Sequence, residues 1–404
     1  MRYMRITIVV AMLGLASNAY AQGERLGSGA PTQDFRAGWT LTPSVGIAET
    51  FDDNISLFGR GTAEGVNNDY ITSFFPSVDL HHEGKHTQFD MGYGGSFLGY
   101  RTFNGLDRWD QNGHLEIRRQ ESARLKWFAH VNGATRPETD LIDLGGIPYR
   151  HTGAQTIDGR GGVDFIFNAR DSLTLSSGYQ DIQFQRSDLE AGFLRGGNVF
   201  ENNAAWRHKV DERLAIGADY MFRRAMVVGD LEHFNMHSVE AAADYDVSST
   251  WSVSGAAGVV YMMPTPTLPS RTGPGYRAGV ARHHNRTTFH IAYTKSFIPA
   301  FGFGGIIANQ EASVGLRTPL FGTRHFYMEH SLVFRDDRPL VDTDLQLPLR
   351  SLREYSIFGW EPDPYVRIEL FYARVDQTSL RPGGELYRDR IGFQIVTSKP
   401  MRMQ

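Results

Sequence analysis

Cysteine is absent from all 404 residues. That removes structural disulfides, Cys-ligated zinc, iron–sulfur clusters and thiol nucleophiles together. No stretch beyond the N-terminus comes near 18 unbroken apolar residues, so an inner-membrane helical protein is excluded. A basic surplus is missing too: Lys plus Arg is 41 against 45 acids, a net charge of −4. Nucleic-acid binders carry a clustered positive excess, so none is expected as a partner. Hydrophobic residues make up 41 % and charged ones 21 %, too apolar for a disordered chain. The 43 glycines and 12 % aromatics lean towards β-structure.

The first 21 residues read as an export signal. Met1 to Arg5 holds two arginines, Ile6 to Ala16 is apolar, and Ala19-Tyr20-Ala21 has the small-x-small pattern of a cleavage site. The apolar run is too short for a membrane-spanning helix. No cysteine follows it, so a lipoprotein is not expected. Losing Arg2 and Arg5 takes the charge from −4 to −6. An exported chain without helical spans has two destinations: the aqueous periplasm or exterior, or the outer membrane as a barrel. Residues 22–38 form a polar lead too short to fold alone.

From Trp39 onward the pattern has period two. Phe289, Ile291 and Tyr293 alternate with His290, Ala292 and Thr294. The same holds for Val366 to Ala373, Arg390 to Ile395 and Leu214 to Phe222. One phase of these four segments is apolar at all 15 positions, while the other mixes charges, glycine and small residues. Successive side chains of a strand face opposite sides, so each strand has one apolar and one mixed face.

Short polar turns recur at Glu83-Gly84, Gln120 to Ser122, Asn168 to Asp171, Lys209 to Glu212, Val247 to Ser249, His284 to Arg286, Pro319 to Gly322 and Glu361 to Pro364. Their spacing is about 36 to 49 residues. Longer loops alternate with them, including 52–68, 138–151, 187–196, 264–273, 338–346 and 378–385. This predicts an all-β, antiparallel up-and-down transmembrane barrel of nine hairpins and about 18 strands over residues 39–398, followed by a tail at 399–404. Sixteen strands would follow from a miscount across glycine-rich stretches such as Gly302 to Gly305. No plug, periplasmic repeat or soluble C-terminal domain is expected. A propeller blade has a similar period but packs four short strands into it, and the G-H…W-D signature is missing.

Trp39, Trp127, Trp206, Trp251 and Trp360 all fall beside tight turns or at the first strand's entry. Five of the six tryptophans would then lie at one rim, as an interfacial girdle in contact with outer-membrane lipid.

The segment Thr42-Pro43-Ser44-Val45-Gly46-Ile47-Ala48-Glu49-Thr50-Phe51-Asp52-Asp53-Asn54-Ile55 resembles the opening of the β-barrel porin 2 family: a Pro-Ser start, an alternating strand, then an aromatic-Asp-Asp-Asn. The closing Tyr387-Arg388-Asp389-Arg390-Ile391-Gly392-Phe393 is similar to that family's end. The two segments cover some 20 residues, and the hairpin architecture matches over the rest. The chain departs from it in ending Lys399-Pro400-Met401-Arg402-Met403-Gln404, without a terminal aromatic. The resemblance implies an 18-stranded exit for secreted exopolysaccharide, served by a periplasmic polysaccharide-export protein and a co-polymerase.

Catalytic and metal constellations are weak, so no enzyme activity, cofactor or metal is expected. His81-His82 and His283-His284 are adjacent residues on strands, which point to opposite faces and cannot chelate as pairs. Asp342-x-Asp344 lacks the further oxygens of a calcium loop. Gly159-x-Gly161-Gly162 lacks a phosphate-binding setting and reads as glycines relieving crowding inside a barrel. Phase places Asp90, Glu116, Arg118, Asp164, Asp219, Arg223, Arg277, Glu329, Arg335, Arg367, Glu369 and Arg390 inside, six acids and six bases. Opposed across a bore they would set a transverse field suited to polar solutes; bonded to one another they would brace the wall.

The reading is therefore an outer-membrane channel, with exopolysaccharide as the cargo implied by the resemblance. A small-solute diffusion porin is the alternative, and an inward-folded charged loop would favour it. A barrel enzyme acting on lipid or polysaccharide would reveal itself by a nucleophile–base pair on neighbouring strands. A sealed structural or adhesive barrel stays open through inward Phe371 and Met221.

Overall fold

The computed structural model describes residues 38–403, apart from 56, 58–66, 143–144, 146, 148–151, 186–193, 228–232, 267, 303–304, 341–347 and 380–384. The export signal, most of the polar lead and Asp342-x-Asp344 lie outside the described residues. So do parts of the longer loops.

The strands are β1 (Gly38–Asp52), β2 (Asp69–Glu83), β3 (Thr87–Tyr100), β4 (Arg108–Gln120), β5 (Leu125–Arg136), β6 (Ala154–Ile166), β7 (Asp171–Phe184), β8 (Gly197–Lys209) and β9 (Leu214–Val227). They continue as β10 (His233–Asp246), β11 (Trp251–Met262), β12 (Arg271–His284), β13 (Thr287–Pro299), β14 (Ile306–Pro319), β15 (Phe326–Pro339), β16 (Leu349–Asp363), β17 (Val366–Ser379) and β18 (Glu385–Ser398). Each pairs antiparallel with the next, and β1 pairs with both β2 and β18, so the sheet closes on itself. The 18-strand barrel expected from the alternation is the fold. Among the described residues one register irregularity falls between Trp360 and Asp363.

The tail expected from residue 399 carries one more piece of sheet. After Lys399-Pro400, β19 (Met401–Met403) pairs with Trp39 to Leu41 and extends the β1–β18 seam. Its Met401 and Met403 are exposed, in register with Leu41 and Trp39 on the outer face.

Five of the tight turns share one chemical device. Ser122, Asn168, Asp211, Ser248 and Asp363 each accept, through a side-chain oxygen, the backbone N–H groups two and three residues on. At Asp211 the distances are 2.7 Å from Arg213 and 2.8 Å from Leu214. Short Ser, Asn and Asp side chains mimic a backbone turn in this way and start the next strand in register. The two N–H groups hold the exposed Asp211 carboxyl below the usual carboxylate range.

The two faces of the wall differ as the alternation requires. Ile47, Phe74, Val259, Leu370 and Phe393 stand exposed on the outer face, where hydrocarbon would cover them. Inward positions are packed. An added Cβ on Gly392 would lie 2.5 Å from the Glu49 carbonyl oxygen and 2.6 Å from the Phe371 ring, so only glycine lets that ring lie flat on the wall. Of Gly159, Gly161 and Gly162, only Gly162 relieves crowding inside. Gly159 and Gly161 pair with outward Val131 and Ala129 and face outward, a correction that follows from strict alternation along β6.

Candidate functional site: the lumen and its infolded loop

All twelve sequence-predicted lumen residues lie on the inward phase of their strands. Three pairs among them meet: Glu116 with Arg118 at 2.5 Å, Arg277 with Asp219 at 2.5 Å, and Arg367 with Glu369 at 3.1 Å. Asp90 lies between His81 (3.2 Å) and His114 (2.6 Å). Asp164 accepts from Thr174 at 2.6 Å. Arg223 grips Glu201 at 2.7 Å, which also takes Arg160 at 2.5 Å. Arg335 binds Glu311 at 2.6 Å, and Glu329 lies 3.9 Å from Arg317. Arg390 is buried, paired in register with Asp52.

The longest chain of charges runs along β8 to β12. Asp219 takes both Arg207 and Arg277, Arg207 reaches Asp244 at 3.3 Å, and Arg277 reaches Glu240 at 2.8 Å. These pairs join strands on one side of the barrel. The charges therefore brace the wall locally rather than facing one another across the bore, because a neighbouring strand about 5 Å away offers a nearer partner than the far wall.

His81 and His82 split between faces, as adjacent strand residues must: His81 turns in to Asp90, and His82 stacks outside on Trp39 at 4.4 Å. Among the described residues no group of three or more His, Asp or Glu side chains could hold a metal ion. The five predicted girdle tryptophans sit at the tight-turn end, with Trp360 stacked on Phe326 at 6.0 Å and Trp251 against Phe289 at 6.2 Å. Trp109 occupies the opposite, loop end of β4.

Period two cannot report where a loop goes, and here lies the main feature missed in the sequence. The described part of the β5–β6 loop, residues 137–142, 145, 147 and 152–153, folds into the barrel. Glu138 near its start accepts from Arg388 of β18, five strands around the wall, and Arg388 also donates to Asp52 at 2.8 Å. Arg388 is 1 % exposed, Asp52 0 % and Glu138 2 to 3 %. From the other side Arg108 donates to the Pro137 carbonyl at 3.2 Å. Further along, an added Cβ on Gly145 would lie 2.5 Å from Ile298 of β13 and 3.1 Å from Asn309 of β14, half the circumference from β5. The loop thus crosses the lumen.

Apolar packing fixes its far part. Ile142 and Ile147 join a buried cluster with Ile182, Val227, Met236, Met262 and Phe301. Phe301 comes from the β13–β14 loop, which is tied to the β7–β8 loop by two backbone hydrogen bonds of 2.8 Å between Arg195 and Gly302. Ile55 and Leu57 of the β1–β2 loop pack inward against β2–β3 and β17–β18.

The two segments that carry the family resemblance meet at the seam. The Asp389 N–H donates to Asp53 at 2.7 Å, Asn54 donates to the Tyr387 carbonyl at 2.7 Å, and Arg388 holds Asp52. Their residues lock the first strand to the last. Burial raises the Asp53 carboxyl above its ordinary value.

A serine–histidine pair does occur on neighbouring strands: His330 Nδ1 and Ser356 Oγ are 2.9 Å apart. Both face outward, two rows above Trp360, inside the apolar band. Among the described residues no carboxylate hydrogen-bonds His330, so nothing orients the imidazole as a base. The pair satisfies two polar groups that lipid could not.

A closed barrel, apolar outside and charged within, defines the class of membrane-spanning β-barrels with a constricted lumen. No family model matches the chain and no curated protein matches it, so the resemblance at Thr42 to Ile55 and Tyr387 to Phe393 assigns no family. Solved structures do align over nearly its whole length. Pseudomonas aeruginosa OpdQ is 9 % identical, with a TM-score of 0.43, covering 91 % of this chain and 98 % of that one. Acinetobacter baumannii OccAB4 is 10 % identical, with a TM-score of 0.46 and coverages of 91 % and 99 %. The ferric citrate transporter FecA is 10 % identical, with a TM-score of 0.45, covering 88 % of this chain and 62 % of that one. These are likenesses of the barrel alone.

Proposed function

We propose that the chain is a passive outer-membrane diffusion channel for small polar solutes, with the β5–β6 loop setting its bore. The observation that carries this reading is the loop itself, pinned at Glu138 to the wall at Arg388 and reaching Ile298 and Asn309 on the side opposite β5. A strand wall with an apolar exterior has no stable home in water, and closure gives every strand a partner on each side. The bore then admits what can pass beside the loop. An extended polysaccharide needs a wide, continuous path, which a loop held across the lumen obstructs. The exopolysaccharide conduit, with its export protein and co-polymerase, is the second reading and rests on the resemblance alone.

Liposome swelling with the purified barrel separates the two. Sugars and amino acids of a few hundred daltons should enter faster than in protein-free vesicles, with rates falling steeply as solute size grows. Deletion of the gene should slow small-solute uptake and leave surface polysaccharide unchanged. Loss of surface polysaccharide with normal uptake would transfer the assignment to the conduit.

A further inference from the structure

Between β12 and β13 the wall parts near its loop end. Among the described residues β12 stays paired with β11 as far as Arg271↔Met262, and β13 with β14 as far as Pro299↔Ile306. Pairing of β12 with β13 stops lower, at Tyr276↔Lys295. Two prolines account for the break. The His283 N–H donates toward β11, so alternation turns the backbone of even-numbered residues of β12, Pro274 included, toward β13. The Ala300 N–H donates to Gly305 within the β13–β14 hairpin, so the backbone of Pro299 faces β12. Continued register would set Pro274 opposite Phe297 and Thr272 opposite Pro299. Each pair would lack one of its two hydrogen bonds, because proline has no N–H.

Above the break the β13–β14 hairpin leaves the wall for the interior. Phe297 and Ile306 keep the outward phase of their strands, yet they are 8 % and 3 % exposed and pack with inward Val227, Met236 and Met262. The Phe297 carbonyl, which Pro274 could not serve, accepts from Arg223 of β9 at 3.3 Å, four strands around the barrel. The Phe297 ring lies against the inner side of Gly273, where an added Cβ would collide with it. Thr272 and Pro274 stay exposed. Height places the break within the lipid. Tyr276 lies six residues along β12 from Arg282, the partner of girdle residue Trp251, about 14 Å at ~2.4 Å of height per tilted residue. The parted stretch therefore begins in the loop-side half of an apolar band about 25 Å tall.

We propose that the parted seam is a side port, through which an uncharged apolar solute passes between the upper lumen and the lipid, with Phe297 as its plug. The inner end of the port is the apolar cluster that Phe297 joins with Met262 and Phe301, and the outer end is hydrocarbon. Its rim is suited to that traffic, since Pro274 and Pro299 remove the N–H groups that lipid could not satisfy. A polar solute gains nothing by this route, because it would shed its water on entering the lipid. An apolar solute stays out of water along the whole path. The port lies beyond the diffusion reading for polar solutes, and it rests on the membrane location on which that reading also depends.

The natural absence of cysteine makes the first test clean. F297C and, in the zipped part of the same strand, A292C are placed singly in the full chain, labelled with a nitroxide and returned to bilayers. Oxygen, which concentrates in lipid, should relax the label at 297 more than a water-soluble nickel chelate does, and the order should reverse at lumen-facing 292. The second test compares entry of the uncharged dye N-phenylnaphthylamine into cells with entry of arabinose into liposomes, for the native barrel and F297A. The dye-to-sugar ratio should rise by about tenfold, because truncating the ring leaves a cavity where the plug stood. Stronger relaxation by nickel at 297, or an unchanged ratio in F297A, would overturn the port; dye and sugar rising together would mean only a wider bore and leaves the ratio unchanged. Failure of the unmodified chain to migrate as a heat-modifiable barrel would instead sink the membrane reading beneath it.

Discussion

Glu138→Ala is the sharpest probe of the constriction, because it removes one anchor of the loop and leaves the wall intact. In the native barrel Arg388 donates to both Glu138 and Asp52, and all three are almost fully buried. Removing one partner of a buried pair costs ~3–5 kcal/mol when the remaining charge is orphaned. Arg388 keeps Asp52, so the loss falls lower, about 2–3 kcal/mol, the value of a hydrogen bond between charged groups. At ~1.4 kcal/mol per factor of ten, loop release should become roughly 30- to 150-fold more frequent. The loop should still dock most of the time, since Ile142 and Ile147 remain in their cluster and each buried isoleucine contributes ~1.5–3 kcal/mol. Single-channel recordings of E138A should therefore show brief excursions to a higher conductance that are rare in the native channel. Adding Ile147→Ser should turn them into a raised mean conductance. If E138A matched the native trace in both level and noise, the loop would not set the bore.

Face and depth can be tested on β17. Leu370 stands mid-band between Phe358 and Phe393, so Leu370→Arg should cost ~2–4 kcal/mol, whereas Ile368, paired with girdle residue Trp360, should tolerate Arg at ~0–1 kcal/mol; folding yield by heat-modifiable migration reads both. Arg367→Ala should lower that yield, since buried Glu369 would keep only its bonds from Tyr327 and Gln394, and R367A with Glu369→Gln should restore it. At the β8–β9 turn, the depressed Asp211 carboxyl stabilises the turn fully above the unfolded carboxylate range and loses that effect as pH falls through its folded value. Exchange of the Leu214 amide, compared with expectation for its intrinsic rate, should thus quicken on acidification in the native chain and not in Asp211→Asn.

What the sequence made legible was whatever depends on alternation. The inward phase of Arg367 or Asp219 follows from period two, because a strand has only two faces, while the strand count and the girdle tryptophans follow from the recurring polar turns. Arg388 was legible in the same sense, sharing its phase with Arg390. Depth along a strand was not. Ile368 reads as the centre of a regular strand, yet the shear of the barrel places it level with Trp360. Solvation of the lumen was not legible either: alternation says that Arg367 points inward, and nothing in it says that Tyr327, Glu369 and Gln394 surround the site and exclude water. Loop 137–153 carries no periodicity, and its destination is decided by partners far away in sequence, Arg388 above all.

Arg388 ties two events together that are separate in the chain. Its backbone belongs to the last hairpin and its guanidinium binds Asp52 at the end of the first strand, so that contact exists only when the barrel is closed. The same guanidinium receives Glu138. A loop that docks on the closed seam gains its charged anchor only after β1 and β18 have paired. An open sheet would leave Glu138 without this partner. Closure and constriction are therefore thermodynamically linked: what weakens the seam at Asp52 must also loosen the loop. That linkage gives the Asp-Asp-Asn and Tyr-Arg-Asp-Arg segments a physical role in any barrel that joins its ends this way, whatever passes through the bore.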